Sequence, residues 1–179
     1  MPLALDELYG PQRWQRPLRG GGVLVTFRVP GQPWDVPHRG WHSDGRADPT
    51  SGEPSQVTIF TILAPLRPRG GGTLVLTGSH HLLRHHGRET DNAKAIRKGL
   101  GARYPWLHDL WSENTSPGID RRKRYLDEGA VLDGMPLRLV ELIGEPRDAF
   151  VMRGDILHTP APNGLDDPRI MLVKGCPII

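Results

Sequence analysis

His42 and Asp44, two positions apart in the run His38-Arg39-Gly40-Trp41-His42-Ser43-Asp44-Gly45, are the residues whose types and spacing best suit chemistry. In an extended strand, residues two apart point to the same face. An imidazole and a carboxylate can then converge on one point while Ser43 faces the other way. Together they make two ligands of a two-histidine, one-carboxylate facial triad, the donor set that holds non-haem Fe(II) with coordination positions left open. The third ligand must be a histidine from far along the chain, and His158 in Gly154-Asp155-Ile156-Leu157-His158 is the candidate. A bare His-x-Asp is common in polar loops, so its surroundings must decide the assignment.

Iron(II) in such a set keeps three further octahedral positions, two suited to a bidentate 2-oxo acid and one to dioxygen. The far carboxylate of such a co-substrate needs a cation. Arg169 stands eleven positions after His158, beyond the turn Pro160 to Pro168 and on the next expected strand. An antiparallel return places it deeper in the fold beside the metal, and a planar guanidinium can grip both carboxylate oxygens. Taken alone, Arg169 reads better as a surface partner of Asp166 or Asp167. Taken with the triad, it reads as the anion anchor.

The elements that must hold these residues are mostly strands. Leu3 to Tyr9 suits a short helix closed by Gly10-Pro11, and Arg13 to Gly22 a loop. Val23 to Val29, Gln56 to Leu63 and Thr73 to Thr77 carry the β-branched runs of strands. Leu137 to Ile143, Ala149 to Met152, Asp155 to His158 and Arg169 to Val173 read the same way. Between them, from His80 to about Gly129, the texture is helical, with segments at Glu89 to Leu100, Tyr104 to Trp111 and Ile119 to Glu128. The run Arg121-Arg122-Lys123-Arg124 reads as a solvated helix face, with a lid or a site for an acidic substrate as the second choice. Strands, a long helical excursion and more strands imply a mainly β chain. A double-sheet jelly roll closes that pattern economically. At 179 residues, one domain spanning 1–179 is expected, with an insertion over about 80–135.

Composition narrows the function classes. With 22 Gly and 18 Pro and a hydrophobic content of 37%, the chain is rich in turns and unlike a helical bundle. A net charge of +3 argues for a solvated surface over nucleic-acid binding. Cys176 is alone, which forbids an internal disulfide and fits a reducing, cytoplasmic setting. No run approaches the roughly 18 apolar residues of a membrane span. No P-loop, dinucleotide fingerprint or Gly-x-Ser-x-Gly elbow occurs. His81 and His85, at i and i+4, could face a zinc ion, yet no cysteine or acidic ligand lies near them in sequence, and solvated histidines are the better reading.

Three motifs in order resemble the phytanoyl-CoA dioxygenase-like family of Fe(II)/2-oxoglutarate-dependent oxygenases. They are Trp41-His42-Ser43-Asp44-Gly45, then Gly71-Gly72-Thr73-Leu74-Val75-Leu76-Thr77-Gly78-Ser79-His80, then Gly154-Asp155-Ile156-Leu157-His158 followed by Pro162-Asn163 and Pro168-Arg169. The likeness covers roughly Val23 to Val173. It implies a double-stranded β-helix, or cupin-like jelly roll, with a helical insertion acting as a lid. It implies iron on His42, Asp44 and His158, and the 2-oxoglutarate carboxylate on Arg169. Phe60 is expected to border the co-substrate, and Thr26 to donate to it. Relatives often carry a hydroxyl residue two after the distal histidine. Here that position is Pro160, leaving Thr159 as the nearest hydroxyl. The implied activity is hydroxylation of a small molecule with dioxygen, releasing succinate and CO2. The retained carboxylate of Asp44 argues against halogenation. The basic insertion favours an anionic substrate. A non-catalytic cupin-like metal or ligand-binding domain is the rival, and zinc-dependent hydrolysis a third reading that leaves Arg169 without a role.

Overall fold

In the computed structural model, residues 2–16, 21–48, 50–86, 93–113 and 118–179 are described. The segment 89–92 of the expected helix at Glu89 therefore lies outside the described residues. Among the described residues, eight strands form two antiparallel sheets of four. The first sheet has the order β1 (Gly22–Thr26), β8 (Arg169–Pro177), β2 (Gln56–Ile62), β6 (Ala149–Arg153). The second has the order β4 (Ala130–Leu132), β5 (Met135–Glu141), β3 (Thr73–Thr77), β7 (His158–Pro160). The helices are α1 (Pro2–Tyr9), α2 (Ser79–His86), α3 (Ala93–Arg103) and α4 (Pro105–Trp111), and a π-helical turn follows at Lys123–Glu128.

Alternation along the strands sorts the apolar residues into layers. Phe60 and Ile62 of β2, Met152 of β6 and Met171 of β8 meet Val75 of β3, so one core lies between the sheets. The opposite face of β2 sends Val57 and Ile59 against Leu5 of α1 and Cys176. The opposite face of the second sheet, Leu74, Leu76, Leu137 and Leu139, packs on Leu82, Leu100, Leu107 and Leu110 of the helices. Burying a Leu or Phe contributes roughly 1.5–3 kcal/mol, so three such clusters hold four layers together against the entropy of ordering the chain.

Several elements depart from the sequence reading: β5 covers Met135–Glu141 where Leu137 to Ile143 is expected, and β8 runs on past Val173 to Pro177. The first strand ends at Thr26, and Val29 lies beyond it. The last histidine opens β7 and does not close a strand from Asp155, because Gly154 to Ile156 form the turn. The strand β4, joined to β5 across Asp133-Gly134, lies inside the expected insertion. Three residues are too short a run for alternation to register.

The basic run is also only partly the solvated face expected of it. Arg122 and Lys123 are exposed, but Arg121 is buried. Its guanidinium donates to the carbonyls of Val36, Asp109 and Leu110 at 3.1, 3.0 and 2.9 Å. Arg124 pairs with Asp109 at 3.0 Å. Three carbonyls brought together by the tertiary fold draw in one fork-shaped donor, which a count of charges along the chain cannot reveal.

Candidate metal centre

The segment carrying His42 and Asp44 runs beside the outer edge of β7. His42 N–H donates to the His158 carbonyl at 3.0 Å, and His158 N–H donates back to the His42 carbonyl at 2.9 Å. This reciprocal pair sets the two imidazoles side by side, tilted by 50° with ring centroids 4.3 Å apart. Gly40 makes the approach possible. Its φ is +79°, and a Cβ there would stand 2.9 Å from Thr159 Oγ1. Downstream, Gly45 N–H donates to the Gly154 carbonyl at 2.8 Å, and Gln56 Nε2 donates to the Asp44 carbonyl at 2.9 Å. Asp44 is therefore held between the second sheet, through His42, and the first, through the peptide that follows it.

One ligand atom from each of His42, Asp44 and His158 lies within 4.8 Å of the others, and no other group of this kind occurs among the described residues. Asp44 Oδ1 is 3.6 Å from His42 Nε2, and Asp44 Oδ2 is 3.6 Å from His158 Nε2. Those separations exceed a hydrogen bond, so the side chains face a common gap.

The ring tautomers follow from the backbone. His42 Nδ1 is 2.7 Å from the Gly40 carbonyl, and His158 Nδ1 is 3.1 Å from the Ile156 carbonyl. A carbonyl only accepts, so each Nδ1 carries the proton and each Nε2 offers a lone pair toward the gap. Burial pushes the His158 pKa below the ordinary imidazole value, opposed by its Ile156 hydrogen bond and the Asp44 charge. The neutral ring that results is the form that ligates metal. Oriented nitrogen donors with one carboxylate make a donor set that fits a divalent transition ion.

Several supporting contacts escaped the sequence reading. Thr58 Oγ1 donates to Asp44 Oδ2 at 2.6 Å. Period-two alternation already places Thr58 on the face of Phe60, but its partner comes from another segment. Ser79 Oγ accepts the Leu157 N–H at 2.9 Å, which holds the residue before His158. Gly78, with φ +78° and Pro136 O only 2.4 Å from a notional Cβ, turns the chain so that Ser79 reaches that N–H. The Gly-Ser-His motif thus acts through its serine. Arg153 and Asp155 form a two-bonded pair, both contacts at 2.9 Å, that braces the turn before His158.

Arg169 lies on β8 with Met171 two positions on, a residue of the core between the sheets. Its side chain therefore shares that inner face. It is 3% exposed, and its Nε and Nη1 have no hydrogen-bond partner among the described residues. Burial lowers its pKa from the usual guanidinium range. The alternative partner Asp166 is engaged by Arg28 on the surface at 2.5 Å. Thr26 sits directly opposite Arg169 in the β1–β8 ladder, on the same face. Phe60 meets His158 edge-to-face with centroids 6.2 Å apart.

Thr159 is not brought to this group. It pairs with Leu74, whose side chain belongs to the helix-facing core, whereas His158 pairs with Val75 of the inner core. Its hydroxyl donates to the Arg39 carbonyl at 3.1 Å. A residue adjacent to an inward-facing one must face outward in a strand. His81 and His85 on α2 also lie outside the group.

No family model matches the chain, and no curated protein does. Among solved structures, it is similar to a non-heme alpha-ketoglutarate-dependent carbocyclase, SnoK from nogalamycin biosynthesis, with a TM-score of 0.49 and 15% identity over 87% of this chain. It is also similar to a non-heme alpha-ketoglutarate-dependent epimerase, SnoN from the same biosynthesis, with a TM-score of 0.45 and 16% identity over 87% of this chain. The chain spans about half the length of each, 48% and 46%. Among the described residues, no helix is long and apolar enough to cross a membrane.

Proposed function

We propose that this chain is an Fe(II)- and 2-oxoglutarate-dependent oxygenase of the double-stranded β-helix type, hydroxylating a small molecule. The finer placement in the phytanoyl-CoA dioxygenase-like family rests on the three sequence motifs. The observation that carries the reading is the convergence of His42, Asp44 and His158, with both Nδ1 atoms bound to carbonyls and both Nε2 atoms free. The buried, incompletely partnered guanidinium of Arg169 on the inner face supports it, because a buried cation with no ion pair among the described residues has a use for an anion.

In this reading iron, when bound, supplies the activation of dioxygen and the oxidising power. The protein's own residues do the rest. His42 and His158 present Nε2 in a tautomer set by Gly40 and Ile156. Thr58 holds one oxygen of Asp44 and so limits its rotation. Arg169 receives the distal carboxylate of 2-oxoglutarate, with Thr26 beside it and Phe60 closing the apolar wall. In this reading the insertion over about 80–135 selects the substrate.

The test is anaerobic addition of Fe(II) and 2-oxoglutarate to the purified protein. A weak visible charge-transfer band is expected, absent from His42→Ala and from Arg169→Ala. Succinate formed under air then separates an enzyme from a binding domain. A folded protein that gives neither band nor succinate overturns the reading.

A further inference from the structure

A cavity of about 650 Å³ opens between α3, α4 and the segment that leads into His42. Its charged and aromatic lining is His38, Arg39, Arg97, Lys98, His108 and Trp111. Three of these are permanent cations. Glu113 neutralises one by pairing with Arg39, and it also lies 3.3 Å from His38 Nε2. Asp109 is engaged by Arg124 at 3.0 Å and stands 3.6 Å from His108 Nδ1. Lys98 has no ion-pair partner among the described residues, and Arg97 is anchored by donating to the Trp41 carbonyl at 2.7 Å. A net positive field therefore remains, with one cation held in place before any ligand arrives.

Two details join this cavity to the metal centre and to a flat ligand. Gly40 lines it, and the Gly40 carbonyl is the atom that orients His42. Gly101 also lines it, in the last turn of α3, although glycine is among the poorest helix residues. A Cβ at Gly101 would stand 3.7 Å from Trp111 Cε3, so a larger side chain would fill the space beside the indole.

We propose that this cavity binds the anionic end of the prime substrate, a carboxylate or phosphate on a planar or aromatic body that lies against Trp111. The proposal rests on the oxygenase reading, for it names that site's substrate class. Arg97 and Lys98 take the charge, and the segment His38 to Gly40 brings the ligand against the strand that presents His42.

Calorimetry and ligand-observed NMR on the whole metal-free protein test it, with phenyl phosphate, benzoate, inorganic phosphate and neutral benzyl alcohol as probes. Phenyl phosphate or benzoate is expected to bind more tightly than inorganic phosphate and benzyl alcohol, and the better of the two tells which anion the site takes. Affinity should fall about tenfold or more in Lys98→Ala. It should vanish in Gly101→Leu, a change that favours the helix while filling the cavity. Equal affinity for all four probes, or an anion affinity that survives both substitutions, overturns the proposal. The charge-transfer band of the unaltered protein is read separately. A band without anion binding ends this proposal and leaves the oxygenase reading standing. Anion binding without a band removes the cavity's role as a substrate subsite.

Discussion

Arg169 is the residue whose placement works against stability. A guanidinium 3% exposed with two nitrogens unpartnered among the described residues has given up hydration without a full set of replacement bonds. In the metal-free protein, Arg169→Met should therefore leave the melting temperature unchanged or raise it. The same substitution should weaken 2-oxoglutarate binding to the iron-loaded protein by about 30-fold or more, the scale of losing one partner of a buried charge pair. Thermal melts and titration of the charge-transfer band check the two halves. A lower melting temperature together with unchanged affinity would make Arg169 structural. Residue types and the eleven-residue spacing were enough to select Arg169, but the sequence also offered Asp166 and Asp167 as partners. Only the strand's inward face removes that ambiguity.

Among the elements, the connection between α4 and the segment that leads into His42 depends on Arg121. Its three carbonyl partners come from the segment before His42 and from the end of α4. Replacing it with Met strands buried acceptors, each worth roughly 1–3 kcal/mol. Arg121→Met should cost about 2–4 kcal/mol in chemical denaturation, whereas Arg122→Met on the exposed face should cost almost nothing. Equal effects would return the whole run to the solvent, as its sequence suggests. Strand existence was readable here because β2, β3 and β5 carry regular apolar patterns. The three-residue β4 and the true start of β7 were not, since pairing partners and not local pattern define such short pieces.

At the scale of the whole molecule, the response to acid follows from histidines whose pKa burial lowers. Burial lowers the pKa values of His158, His80 and His38 from 6.5. A histidine with a lower pKa folded than unfolded binds fewer protons in the native state, so stability rises with pH across that interval. The metal-free protein should melt at a lower temperature at pH 5.5 than at pH 7.5, before the carboxylates titrate, and His158→Gln should flatten part of that slope. A melting temperature that rises on acidification would contradict the burial. By itself, the sequence determined the strand-rich character and the helical excursion, and it singled out His42, Asp44, His158 and Arg169 as candidates, because period-two alternation and donor chemistry are local properties. Tertiary structure alone decided which nitrogen of each imidazole is free, that Thr58 holds Asp44 and Ser79 the residue before His158, that Thr159 faces away and that Arg121 is a strap. Each of those depends on a backbone carbonyl, an N–H or a side chain brought in from a distant segment, and such contacts exist only once the layers have packed.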